Sequence, residues 1–180
     1  MAEKKILFPG VKDGDVFEVA GMKFIKFSDR NGVTPVVAKD SLFSMRFGDS
    51  NNFAESDILK RLNAEVLPKI EEAVGAENVC AFKTDLTTLC GLKCYGTMES
   101  RIGLPTFDFY RSNVELFDKH KPGLWWWLAT PDSAKPHDDP DWVVCVSPRG
   151  YFNFGNYFSV YYGVRPFLNF VSDIFGSLEE

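Results

Sequence analysis

Long apolar runs are missing from this sequence, and none of its segments reaches the length of a membrane-spanning helix. A basic stripe is missing too. Twenty Lys and Arg stand against 25 Asp and Glu, for a net charge of −5. Binding to a nucleic-acid backbone needs clustered cations, so that partner is disfavoured. Histidine is scarce: His120 and His137 lie in polar contexts with no serine or cysteine motif beside them. No Gly-rich phosphate loop of known pattern occurs. No nucleophile–base set can be assembled, so the expectation is a protein that is not an enzyme and that needs no cofactor.

Cysteine is sparse as well. Cys80, Cys90, Cys94 and Cys145 match no zinc ribbon or redox pair, because three residues rather than two separate Cys90 from Cys94. The start, Met1 to Gly10, carries two lysines but an apolar run of only Ile6-Leu7-Phe8, which does not read as a signal peptide. A virion or the cytoplasm is the expected location, and free buried thiols are the default there. His137, Asp138, Asp139 and Asp141 in a polar, proline-containing loop offer oxygen and nitrogen ligands, but a solvated loop is the better reading, and no metal is expected.

Aromatic residues are abundant, at 15% with 17 Phe, which favours strands over helices. The length suits one domain with a substantial core. The chain is read as an N-terminal extension over 1–13, a single domain over 14–172 and a C-terminal tail over 173–180. Its organising stretch runs from Trp125 to Phe170. Three consecutive tryptophans predict a central strand covered on both sides, with Trp125 and Trp127 on one face and Trp126 on the other. A second reading of Trp126 is an aromatic platform for a ligand.

Earlier in the chain, Asp15–Ala20 and Met22–Phe27 predict a hairpin turning at Ala20-Gly21. Asp29-Arg30-Asn31-Gly32 is a further turn, and Val33–Ala38 a strand whose Pro35 suggests a sheet edge or an irregular start. Ser56 caps the best helix, with Ile58, Leu59, Leu62 and Val66 at helical spacing and Pro68 ending or kinking it. Residues 76–105 look irregular, with Thr84–Leu89 a short capped helix or a loop. Phe107–Tyr110 looks extended, and Ser112–Lys119 like a short helix capped by Ser112.

From Trp142 the pattern alternates. Trp142, Val144 and Val146 share a face, and Ser147-Pro148-Arg149-Gly150 forms a turn. Phe152, Phe154, Phe158 and Val160 are then assigned to the core. Tyr151, Asn153, Tyr157, Ser159 and Tyr161 would face out, with Arg149 and Asn156 at the turns. Gly163 reads as a residue freeing the backbone for an unusual turn, and Arg165, before a proline, as extended.

The Trp126-Trp127-Leu128-Ala129-Thr130-Pro131 segment, followed by strands and by Gly163-Val164-Arg165-Pro166-Phe167-Leu168-Asn169, resembles a domain family of uncharacterised function found in bacteria and their phages. That family is placed in the C-type-lectin-like superfamily, beside the sulfatase-modifying factors. Ser56 to Asn63 resembles its usual helix. Thr130 and Ala129 depart from the Ser and Arg often found there. The resemblance implies an α+β domain of small twisted antiparallel sheets, two flanking helices and long irregular loops. It also implies a ligand-binding surface in the C-terminal strands, as in related phage variable proteins.

Residue chemistry points the same way. Tyr, Asn and Ser supply rigid amphipathic contacts and adaptable hydrogen bonds. The expected binding set is Arg149, Tyr151, Asn153, Asn156, Tyr157, Ser159 and Tyr161. Its partner would be a protein or carbohydrate on a host surface. A structural particle protein that binds its neighbours, or its own copies as a homo-oligomer, is the alternative. A sulfatase-modifying-factor-like enzyme is disfavoured, since only Cys145 lies in the C-terminal region.

Overall fold

Residues 5–176 are described by the computed structural model, and they form a mixed α+β fold of small sheets and few helices. The first sheet contains β1 (Val16–Val19), β2 (Met22–Lys26), β3 (Val33–Ala38), β12 (Phe167–Val171) and β5 (Val79–Cys80), in that spatial order. The second contains β10 (Phe152–Asn156), β9 (Trp142–Val146), β8 (Trp126–Pro131), β11 (Gly163–Val164) and β4 (Phe43–Ser44). A separate hairpin pairs β6 (Phe82–Asp85) with β7 (Thr97–Ser100). The pairings are antiparallel except that β11 runs parallel to β8, with Gly163 opposite Trp126. That one parallel contact departs from the all-antiparallel expectation.

The β1–β2 turn falls at Ala20 and Gly21, both at positive φ (52° and 77°), the backbone a two-residue hairpin requires. β3 is the middle strand of its sheet rather than an edge, although it contains Pro35. Pro35 lies just beyond the last β2 pairing, where its carbonyl still accepts from Phe27 N–H at 3.0 Å. The donor it lacks is therefore missed only at the frayed end of β2.

Ser56 caps the main helix, its Oγ accepting from Leu59 N–H at 3.0 Å. The helix runs as α1 (Asp57–Arg61), a π-helical turn (Leu62–Val66) and α2 (Leu67–Val74), and stops at Gly75. Pro68 does not end it; it stands just after the π-helical irregularity, in the first turn of α2. The wider turn just before absorbs the missing N–H and the ring. Phe107–Tyr110 is not extended but belongs to α3 (Phe107–Ser112), capped by Thr106, whose Oγ1 accepts from Phe109 N–H at 3.1 Å. α4 (Val114–Asp118) follows, without a cap from Ser112. Thr84–Leu89 is the end of β6 and a loop, in which Asp85 accepts from Thr87 N–H.

β8 sits in the middle of its sheet with all six residues buried, as a strand covered on both sides must be. Trp127, Ala129, Val143 and Cys145 face one core with the helix residues Ile58, Leu62 and Ile70. Trp126, Leu128, Val144 and Val146 face the other with Tyr110 and Phe117. Trp126 is therefore a core residue and not a ligand platform. Trp125 precedes the strand and is only half-buried, edge-on to Tyr151 at 5.5 Å.

Arg165 is fully buried. Its Nε donates to the Ala38 carbonyl at 2.9 Å, and its guanidinium lies 4.4 Å over the Trp126 ring. Burial pulls its pKa down to about 10, against the opposing pull of Asp40 and Tyr110. Of the segments read as extension and tail, residues 1–4 and 177–180 lie outside the described residues. Leu7 and Phe8 N–H both donate to Ile174 O at 2.9 Å, and the Phe8 ring packs 4.9 Å from Phe17.

Gly155 and Gly163 act through close approach rather than through an unusual turn; neither has a positive φ. A Cβ at Gly155 would lie 2.8 Å from the Trp127 ring and 2.9 Å from the Tyr162 ring. Gly155→Ala is expected to cost about 1–3 kcal/mol through overpacking. Urea denaturation measures it, and an unchanged midpoint would mean that both rings move aside freely.

Candidate functional site: the edge of the second sheet

β10 lies at the rim of its sheet, and among the described residues it pairs with β9 alone. Its sequence, Phe152-Asn153-Phe154-Gly155-Asn156, carries no charge and no proline, the devices that usually guard an open edge. The register places Phe152 opposite Val146 and Phe154 opposite Val144, on the same face as Trp142. That face is core further into the sheet, but the cover over it ends at Phe107, whose ring meets Phe152 edge-on at 4.9 Å. Phe152, Phe154 and Trp142 are consequently exposed, and the Phe152 and Phe154 rings lie 6.2 Å apart.

The chain after Asn156 does not continue as a strand. Residues 157–162 form a turn and an irregular loop. Alternation therefore stops deciding which side chains face inward, and the expected core positions Phe158 and Val160 are exposed at 61% and 56%. This overturns the assignment of Phe152, Phe154, Phe158 and Val160 to the core.

The binding set read from sequence is distributed over this region. Arg149 is exposed in the β9–β10 turn, its N–H donating to Ser147 Oγ at 3.2 Å. The Tyr110 hydroxyl pins the same turn by donating to the Gly150 carbonyl, and burial pushes that phenol up to about 12. Tyr151 is exposed beside Trp125. Asn153 is exposed on the strand face opposite the phenylalanines, across from Cys145. Asn156 is half-buried at the strand end, where its Oδ1 accepts from Phe158 N–H at 3.3 Å.

Tyr157 is half-buried against the larger core, its N–H bonded to Asp141 O and its carbonyl to Phe47 N–H. Ser159 is half-buried, with its N–H on Asn156 O. Tyr161 is the most exposed of the set, at 82%. The polar set and the phenylalanines thus do not divide into an outer and an inner face. Both are carried by β10, the turn before it and the loop from it to β11, and Tyr157 acts as the anchor of that loop.

Sequence reasoning missed one further juxtaposition. Cys90 Sγ lies 3.8 Å from His137 Nδ1, across 47 residues of chain. No local motif announces it. Cys90 and Cys94 are exposed, Cys80 is partly buried and only Cys145 is deeply buried, so the expectation of buried thiols holds for one of four. Among the described residues no group of three His, Cys, Asp or Glu side chains converges as a metal site, and no helix is long and apolar enough to cross a membrane. No family model, curated protein or solved structure matches this chain.

Proposed function

We propose that this chain is a non-enzymatic binding module of C-type-lectin-like type, belonging to a phage or a phage-derived locus, and that it docks a protein partner on the rim around β10. The single observation that carries the reading is the set of exposed large apolar side chains Trp142, Tyr151, Phe152 and Phe154 on and beside β9 and β10, and Phe158, Val160 and Tyr161 on the loop that leads from β10 to β11. Exposed apolar patches of this kind mark interaction sites. Aromatic anchors beside adaptable asparagines suit a paratope-like surface. The preponderance of Phe and Val over planar polar groups favours a protein over a carbohydrate, whose hydroxyls need paired hydrogen bonds. Arg149, Asn153 and Asn156 supply the polar rim.

The uncharged, unguarded β10 edge supports a second reading, a particle protein whose partner is another copy or neighbour that adds a strand there. One experiment separates the two. Phe158→Ser combined with Tyr161→Ser is expected to leave stability within about 0.5 kcal/mol, because both side chains are exposed. The same variant is expected to abolish retention on immobilised bacterial envelope extract, and protease treatment of the extract is expected to do likewise. Retention that survives protease but not glycosidase assigns a carbohydrate partner. Concentration-dependent self-association of the wild type in sedimentation, lost in the variant, replaces receptor binding with assembly. Unchanged retention and unchanged sedimentation sink the site.

A further inference from the structure

We propose that Cys90 is a reactive thiol that exchanges with low-molecular-weight disulfides and so becomes a site of reversible thiolation, with His137, Ser133 and Thr88 as the groups that ready it. The site stands on the geometry of two loops, apart from the aromatic rim. The segment after β6 docks on the end of β8 and the segment that follows it through two backbone bonds, Leu89 N–H to Pro131 O at 2.8 Å and Cys90 N–H to Asp132 O at 3.2 Å. Asn51 braces the second loop: its Nδ2 donates to Ser133 O at 2.7 Å and to Trp142 O at 3.0 Å, while its Oδ1 accepts from the Tyr95 hydroxyl at 2.7 Å.

Three side chains surround the sulfur as a result. Ser133 Oγ lies at 3.2 Å, Thr88 Oγ1 at 3.3 Å and His137 Nδ1 at 3.8 Å. Thr88 Oγ1 already accepts from Leu92 N–H at 2.9 Å, which leaves its own hydroxyl proton for the sulfur. The thiol donates to Ser133 Oγ, while a thiolate there accepts from the Thr88 hydroxyl and sits beside an imidazole, and both of the latter favour the charged form. Hydrogen bonding with Ser133, Thr88 and His137 draws the thiol down to about 7. Asp85 and Lys93 on one flanking segment, and Asp132, Lys135, Asp138, Asp139 and Asp141 on the other, are the charged side chains nearby in sequence, and among the described residues none is hydrogen-bonded to the sulfur.

Cys90 is exposed, so a disulfide in solution reaches it. The imidazole ring has no carboxylate or carbonyl partner among the described hydrogen bonds, so the triad geometry of a hydrolase is not met. Thiol–disulfide exchange needs less: a thiolate, access, and a pKa near ambient pH. The Cys90 proton passes to His137. The thiolate attacks one sulfur of R–S–S–R, a new S–S bond forms as the old one breaks, and the departing RS⁻ takes the proton from His137. The products are Cys90–S–S–R and RSH, with no other oxidant involved.

The test uses the full chain carrying Cys80→Ser and Cys94→Ser. Cys145 stays silent there, because burial pushes its thiol up to about 12. Uptake of glutathione disulfide is followed by mass and rate from pH 5 to 9. The thiolate fraction, discounted for the lower nucleophilicity of a low-pKa thiol, makes Cys90 about sixfold faster at pH 6 than an ordinary exposed thiol. The rate is expected to rise with pH to a half-maximum near 7, and His137→Asn to move that midpoint up towards the ordinary thiol range. His137 lies in an exposed loop, and an unchanged circular dichroism spectrum shows that the variant folds. A wild-type midpoint at or above 8.5, a midpoint indifferent to His137→Asn, or a low midpoint with no glutathione adduct each overturns the proposal.

Discussion

Trp127→Ala is expected to lose about 3–5 kcal/mol from truncation of a buried large aromatic alone. A further loss of about 1–3 kcal/mol is expected from the Met45 carbonyl, which the indole N–H now satisfies at 3.0 Å. Trp127 is wholly buried in the central strand of its sheet, 4.4 Å from the Tyr162 ring and 5.5 Å from Phe47. It joins the strand to the loop that carries Phe158, Val160 and Tyr161, so its loss is also expected to loosen residues 157–162. Domains of this size are stable by only about 5–15 kcal/mol, so the variant should lie near the edge of folding at room temperature. Trp127→Phe keeps much of the area and should lose markedly less. Equilibrium urea denaturation of both measures the difference, and an alanine variant with the wild-type midpoint would refute the central placement of β8.

Arg165→Ala and Arg165→Met are expected to separate widely. The guanidinium is buried against Trp126 and Phe117, with Nε on the Ala38 carbonyl and, among the described residues, no carboxylate within ion-pair distance. Nη2 has no hydrogen-bond partner. The side chain therefore contributes mainly volume and ring contact while bearing a desolvation cost. Alanine leaves a cavity and should cost about 2–5 kcal/mol, as core truncations of similar size do. Methionine refills the space and removes a buried charge, an exchange that is often neutral or stabilising. It is expected to recover most of the loss, less about 1 kcal/mol for the Ala38 hydrogen bond. Equal destabilisation by both variants would show that the charge, and not the volume, is what the fold requires.

What the chain reveals locally it reveals well. Positive φ at Ala20-Gly21, the Ser56 cap, the turn at Ser147–Gly150 and the alternation of Trp142 to Val146 each depend on a few neighbouring residues. The tryptophan strand is legible because its neighbouring side chains, too apolar to face water, point to opposite sides. The helix at Phe107 was readable only from Thr106 and Asp108, a cap and a first-turn acid set against aromatic residues that favour strands.

Periodicity names a face but not how far that face is covered. Phe152 and Phe154 lie on the buried face of their sheet and are nonetheless exposed, because β10 is the last strand and the cover over that face ends at Phe107. Pro35 reads as a mark of an edge or of an irregular start; the strand is a middle one, and the length of β2 decides that the missing donor falls beyond the pairing. Cys90 and His137 meet only because two distant loops share backbone hydrogen bonds and an asparagine brace. Turns, caps and alternation are short-range properties that the sequence determines by itself. Strand order, the extent of cover and loop-to-loop contact are long-range, and only the tertiary structure decided them.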